Sequence, residues 1–214
     1  MQRGAYLFLN PGLSGDGQRA CATCHPGGGN DGQVYRQGVA VEPGSEGGRR
    51  TPELRGLWQT APYLWDGSLS TVGEAIDRML RVELGGPPLA AHDRAALEAY
   101  VLSIPPFDNG KIEPDGTPIE PVILSALRGA GVFDRAKCGV CHKPPSFAHH
   151  LRFEIGTGGK WSVPTLRNVS NQPRLGHDGR WPDLETAVDA ILQYREVDLT
   201  PQERQQLLSY LHLL

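Results

Sequence analysis

Cys21-Ala22-Thr23-Cys24-His25 and Cys138-Gly139-Val140-Cys141-His142 use all four cysteines of the 214-residue chain in one pattern, C-x-x-C-H. That pattern is the attachment signature of a c-type haem. Two thiols at i and i+3 reach the two vinyl groups of one porphyrin edge, and the imidazole that follows is carried beneath the iron as proximal ligand. Zinc is the competing reading, because two C-x-x-C pairs make a four-thiolate cluster. Zinc ribbons, however, separate their pairs by about 15 to 20 residues, and here the 113 positions from 25 to 137 intervene. A thioredoxin-like dithiol gives no reason for a histidine after both pairs. The sequence therefore predicts two covalent haems, anchored by Cys21, Cys24, Cys138 and Cys141, with His25 and His142 as axial ligands and no disulfide.

Outward from these motifs the two halves of the chain repeat each other. Arg3-Gly4-Ala5 and Phe8 precede the first motif as Arg128-Gly129-Ala130 and Phe133 precede the second. Downstream, Pro52-Glu53-Leu54-Arg55 answers Pro164-Thr165-Leu166-Arg167, and eleven residues after each arginine comes Asp-Gly, at Asp66-Gly67 and Asp178-Gly179. Each half then carries apolar residues at helical spacing: Val72, Ala75, Ile76, Met79 and Leu80, then Leu184, Ala187, Val188, Ile191 and Leu192. Thr71 with Glu74 forms a capping-box pattern, Asp183 is a good N-cap, and Thr200-Pro201-Gln202-Glu203 combines a cap, an N1 proline and an N3 glutamate. Closing helices are expected near Asp93 to Leu102 and Pro201 to Leu213, with Leu97 and Tyr100 matching Leu207 and Tyr210. Strands are hard to find. The stretch from Ile104 to Pro121 is rich in proline and glycine and reads as a linker. The expected fold is all-α: two tandem cytochrome c-like domains, residues 1–111 and 112–214, each small enough that a porphyrin supplies part of its core.

Composition narrows the function classes. With 21 basic and 24 acidic side chains the formal charge is -3, so no basic field is available for nucleic acid. No apolar run approaches the roughly 20 residues of a membrane span. Haem attachment of this kind takes place outside the cytoplasm, so a periplasmic or otherwise extracytoplasmic protein is expected. The start of the chain shows no basic region followed by an apolar one, which implies a removed signal peptide or a piece of something longer.

Thr51-Pro52-Glu53-Leu54-Arg55, Thr60-Ala61-Pro62-Tyr63-Leu64-Trp65-Asp66-Gly67 and Leu69-Ser70-Thr71-Val72-Gly73-Glu74-Ala75-Ile76 closely resemble the block after the haem motif in bacterial di-haem cytochrome c peroxidases and the MauG group. Val163 to Val169 and Gly176-His177-Asp178-Gly179-Arg180 repeat the likeness. The resemblance implies that Met79 ligates haem 1 opposite His25, giving a centre of relatively high potential. Met1 and Met79 are the only methionines, and Ile191 stands at the position matching Met79. Haem 2 therefore has no ordinary methionine ligand, and its distal side is open, holds water or takes His149, His150, His177, His212 or Tyr194. The family places its methionine-ligated haem in the C-terminal unit, the reverse of the order here.

The resemblance further implies roles for His177 and, more loosely, Glu196 in acid/base help with peroxide cleavage. It implies haem-propionate pairing for Arg55 and Arg167, and calcium at the carbonyls of Thr60 and Pro62. Three functions fit the sequence. The first is electron transfer between a redox protein donor and acceptor. The second is peroxidase-like reduction of hydrogen peroxide at haem 2, with electrons from haem 1. The third is a haem-bearing module of a larger redox assembly.

Overall fold

The computed structural model describes residues 1–214. It contains seven α-helices, and short turns of helix bring the helical share to about 40%. The order is α1 (Gln2–Leu9), α2 (Cys21–Cys24), α3 (Val72–Arg78), α4 (Ala91–Leu102), α5 (Leu124–Arg135), α6 (Leu184–Tyr194) and α7 (Pro201–Leu211). The expectation of a purely α chain needs correction. Strands β1 (Val34–Arg36), β2 (Val39–Ala40) and β3 (Arg49–Arg50) form an antiparallel sheet in the order β2-β1-β3, and β4 (His149–Phe153) pairs with β5 (Trp161–Val163). At two to five residues these strands are too short to display a period-2 pattern, so glycine-rich sequence around them reads as loop.

The repeat seen in sequence is a repeat in packing. Gly4 lets α1 approach α4 so closely that a Cβ would stand 2.1 Å from the carbonyl oxygen of Ala96. Gly129 does the same between α5 and α7, where a Cβ would stand 2.0 Å from the carbonyl oxygen of Gln206. Four residues on, Phe8 packs against Tyr100 with ring centroids 5.3 Å apart, and Phe133 against Tyr210 at 5.4 Å. An ion pair also recurs: Arg94 Nε lies 3.0 Å from Asp77 Oδ2, tying α4 to α3, and Arg204 pairs with Asp189 across α7 and α6.

The helix starts follow their capping residues. Thr71 Oγ1 accepts from the Glu74 N–H while Glu74 accepts from the Thr71 N–H; Thr200 and Glu203 reciprocate in the same way. Asp183 Oδ1 accepts from the Thr186 N–H at 2.7 Å.

Two separate apolar clusters result. One draws on Leu7, Phe8, Ile76, Leu80, Leu97 and Val101, the other on Ile112, Phe133, Phe147, Leu184, Leu207 and Tyr210. The proline- and glycine-rich stretch between them docks on the second cluster, where Tyr210 Oη donates to the Gly116 carbonyl at 2.9 Å. Gly116 has φ 95°, and a Cβ there would meet Tyr210 Oη at 3.0 Å.

The halves meet through a reciprocal contact. Arg50 N–H donates to the His177 carbonyl at 2.8 Å, and Ser162 N–H donates to the Trp65 carbonyl at 2.8 Å. Arg50 matches Ser162 and Trp65 matches His177 in the repeat, so each half offers the same donor position to the same acceptor position of the other.

Candidate functional site

Both C-x-x-C-H motifs begin on a short turn of helix: α2 at Cys21–Cys24, and a 3-10 turn at Cys138–Val140. In each, the histidine N–H closes the turn onto the carbonyl of the first cysteine, His25 to Cys21 and His142 to Cys138, both at 2.9 Å. The ring Nδ1 of His25 lies 3.1 Å from the Gly29 carbonyl oxygen, and that of His142 lies 2.9 Å from the Phe147 carbonyl oxygen. The carbonyls of Pro52 and Pro164, equivalent in the repeat, also face the two rings. A carbonyl only accepts, so Nδ1 carries the proton and Nε2 keeps its lone pair. That arrangement orients an imidazole for a metal. Burial also pushes both imidazoles below their ordinary titration range, favouring the neutral ligand form.

The thiols are held in their neutral form. Burial raises Cys21 and Cys138 to about 11, the opposite of the electropositive setting that activates a redox dithiol. Nor do the two pairs converge, since no group of three or more His, Cys, Asp or Glu side chains is placed to hold a metal ion. The zinc reading fails on that geometry.

Cys21, Cys24, His25 and Met79 line one cavity of about 340 Å³, whose walls include Phe8 and Leu97. Met79 ends α3 and opens a wider π-type turn over Met79–Glu83, a local irregularity often found at functional positions. The cavity extends to the second half, reaching Val163, Leu166 and Gln172. Trp65 lines it too, with Nε1 donating to the Arg50 carbonyl at 2.6 Å. The residues present fit a haem: an apolar slot, thiols at one edge, an oriented imidazole and a thioether.

Around the second motif the surroundings differ. Ile191 takes the register position of Met79 on α6. A cavity of about 290 Å³ is lined by Thr157, Trp181 and Tyr194, among others, although Cys138, Cys141 and His142 lie outside its wall. Gly156, at φ 79°, lies beneath the Tyr194 ring, where a Cβ would come within 2.6 Å. His149 and His150 stack on each other on β4, and His212 is exposed at the end of α7, 3.9 Å from Glu185. His177 is buried, stacked on Trp161 with centroids 3.7 Å apart, and its Nδ1 and Trp161 Nε1 have no hydrogen-bond partner. Burial brings His177 down to about 4, outweighing Asp178 beside it. Glu196 is exposed at φ 53° in the turn after α6, whereas His177 is buried.

Arg55 and Arg167 take equivalent places. Arg55 pairs with Glu53 at 2.6 Å and lies against Gly29, while Arg167 Nε donates to the Pro145 carbonyl at 2.8 Å and its guanidinium sits over the Phe147 ring. Each braces the loop whose carbonyl takes the histidine N–H, and neither lines the large cavity. Thr60 and Pro62 do line it, and Ser162 Oγ donates to the Pro62 carbonyl at 3.4 Å. Sequence reasoning missed Arg49 and Arg50, which line the cavity. Their only signal was adjacency to Thr51-Pro52.

Residues 1–102 match the family model described as di-haem cytochrome c peroxidase. Among curated proteins the chain is 26% identical over 279 aligned positions to the methylamine utilization protein MauG of Methylorubrum extorquens, covering 99% of this chain and 76% of that protein. It is 25% identical to the cytochrome c peroxidase Ccp of Escherichia coli over 99% of this chain, which spans 57% of that relative's length. Solved structures share the fold. The Kuenenia stuttgartiensis hydrazine synthase chain superposes with TM-score 0.82 at 18% identity, covering 99% of this chain and 86% of that one. A dihaem peroxidase of Burkholderia thailandensis gives 0.72 at 16% identity, covering 100% and 85%.

Proposed function

We propose, from its similarity to the di-haem cytochrome c peroxidases and MauG proteins, that the chain is an extracytoplasmic di-haem c-type cytochrome passing electrons between a redox protein donor and acceptor. Haem 1 would be held by Cys21, Cys24, His25 and Met79, and haem 2 by Cys138, Cys141 and His142. The units divide near residue 112, in keeping with the two separate apolar clusters. No helix is long and apolar enough to cross a membrane.

The observation that carries this reading is the duplicated imidazole-to-carbonyl contact, His25 to Gly29 and His142 to Phe147. When bound, haem supplies one-electron redox chemistry. The protein's own part is to orient each Nε2 and to offer a thioether in one half alone, so that the centres differ in potential. Trp65 lines the haem 1 cavity, and its carbonyl accepts from the Ser162 N–H of the second unit. A redox titration of the native protein tests the reading: two separated one-electron steps are expected, and a single coincident step or none contradicts it.

A second reading has one observation in its favour, Ile191 where unit one has a methionine. A haem held by Cys138, Cys141 and His142 without a sulfur ligand would supply a site for hydrogen peroxide, whose reduction to two waters takes two electrons and two protons. His177, unprotonated above about pH 4, and Glu196 are the groups assigned to moving those protons. A calcium ion between the units would rest on the carbonyls of Thr60 and Pro62. Oxidised protein should then show a high-spin component that peroxide perturbs; two low-spin centres indifferent to peroxide remove the enzyme.

A further inference from the structure

Arg50 is the buried arginine of the cavity wall, and its charge is not accounted for. It is 5% exposed. Its Nε donates to the Gly176 carbonyl at 3.3 Å, and Nη1 donates to the Thr51 carbonyl at 3.3 Å and to Gln172 Oε1 at 3.1 Å. All three acceptors are neutral, Nη2 makes no hydrogen bond, and the residue forms no ion pair. The neighbouring acid, Glu53, is already engaged by Arg55, Gln172 and Asn30. The other cavity arginines are occupied or less buried: Arg19 pairs with Asp16 and binds the Gly38 carbonyl, Arg49 donates to the Gly48 carbonyl and covers the Trp161 ring, and Arg78, also without an ion pair, is half-buried on α3. A buried cation without a carboxylate costs several kcal/mol unless an anion joins it.

We propose that Arg50 is the carboxylate-binding residue of the haem 1 cavity, its Nη2 edge holding a haem propionate at the junction of the two units. The inference rests on haem filling that cavity, and it moves the propionate partner from the Arg55 position to Arg50. The backbone makes the placement firm. Arg50 N–H is bound to the His177 carbonyl, its own carbonyl takes Trp65 Nε1, and its guanidinium lies 5.3 Å from the centroid of the Trp65 ring. A propionate held there is fixed against the face where unit two begins, and the guanidinium charge beside it favours the reduced iron. Arg50 is a positioning and tuning residue, not a catalytic one.

The test uses the native holoprotein and Arg50→Gln and Arg50→Lys variants, each first checked by mass for attached haem. Arg50→Gln removes a positive charge near the iron, so the ferric-to-ferrous ratio of haem 1 at fixed potential should rise about tenfold, equivalent to about 59 mV for a one-electron couple. Arg50→Lys, which keeps the charge, should shift less. An unmoved haem 1 potential in Arg50→Gln with both haems attached overturns the proposal. If that variant does not fold, a crystal structure of the wild-type holoprotein decides, since no propionate oxygen within hydrogen-bond distance of Arg50 overturns it equally. Absence of haem from the wild type would instead sink the proposed function.

Discussion

The ring of His177 lies flat against that of Trp161, centroids 3.7 Å apart and planes 13° from parallel, with the Arg49 guanidinium 4.6 Å from the centroid of the Trp161 ring. Both rings belong to the second unit, and the arginine comes from the first. Burial is the main reason His177 titrates near 4 rather than at the ordinary 6.5, with Arg49 and Arg180 acting in the same direction and Asp178 and Glu154 against it.

A histidine that resists protonation when folded destabilises the fold in acid. Between pH 6.5 and about 4 the unfolded chain binds a proton at His177 that the folded chain refuses, so stability falls as pH drops through this window. One proton limits the slope to about 1.4 kcal/mol per pH unit. His177→Phe keeps a flat ring on Trp161 and removes the titration. Chemical denaturation at several pH values should show a shallower decline for the variant over that window; identical slopes would mean that His177 protonates freely.

Gly4 and Gly129 make a paired prediction. Gly4→Ala drives a methyl into the Ala96 carbonyl, and Gly129→Ala drives one into the Gln206 carbonyl. Overpacking of this kind costs about 1–3 kcal/mol, offset in part by alanine's better helix propensity. Thermal unfolding should show both variants destabilised; a neutral or stabilised variant would mean that the helix pairs are looser than they stand here.

Much of this arrangement was legible in the chain. Gly4 with Gly129, Phe8 with Phe133 and Tyr100 with Tyr210 could be paired by spacing, because duplicated helices bury the same contacts in the same order. Thr71, Asp183 and Thr200 announced their helices through local hydrogen bonds that need no tertiary partner. What escaped was non-local. The strands form from residues far apart, such as Val34 opposite Arg50. The reciprocal Arg50–His177 and Ser162–Trp65 bonds depend on how two units meet, which a linear repeat does not encode. Arg55 and Arg167, expected at haem propionates, brace the loops behind the two histidines, and nothing in Leu-Arg spacing distinguishes the two placements.

Met79 shares a cavity with His25, and its replacement separates ligation from packing. Met79→Leu conserves volume, so the core should lose less than about 1.5 kcal/mol, while the thioether disappears. Haem 1 should fall in potential, because the sulfur that favours reduced iron is gone, and should gain a high-spin signal in paramagnetic resonance. An unchanged potential and spectrum would mean that Met79 only fills space.

The most direct test of the whole account is the intact mass of the native protein beside those of Cys21→Ala/Cys24→Ala and Cys138→Ala/Cys141→Ala. The account predicts two covalent haems on the wild type and one on each double variant. A native mass equal to that of the bare polypeptide would contradict it.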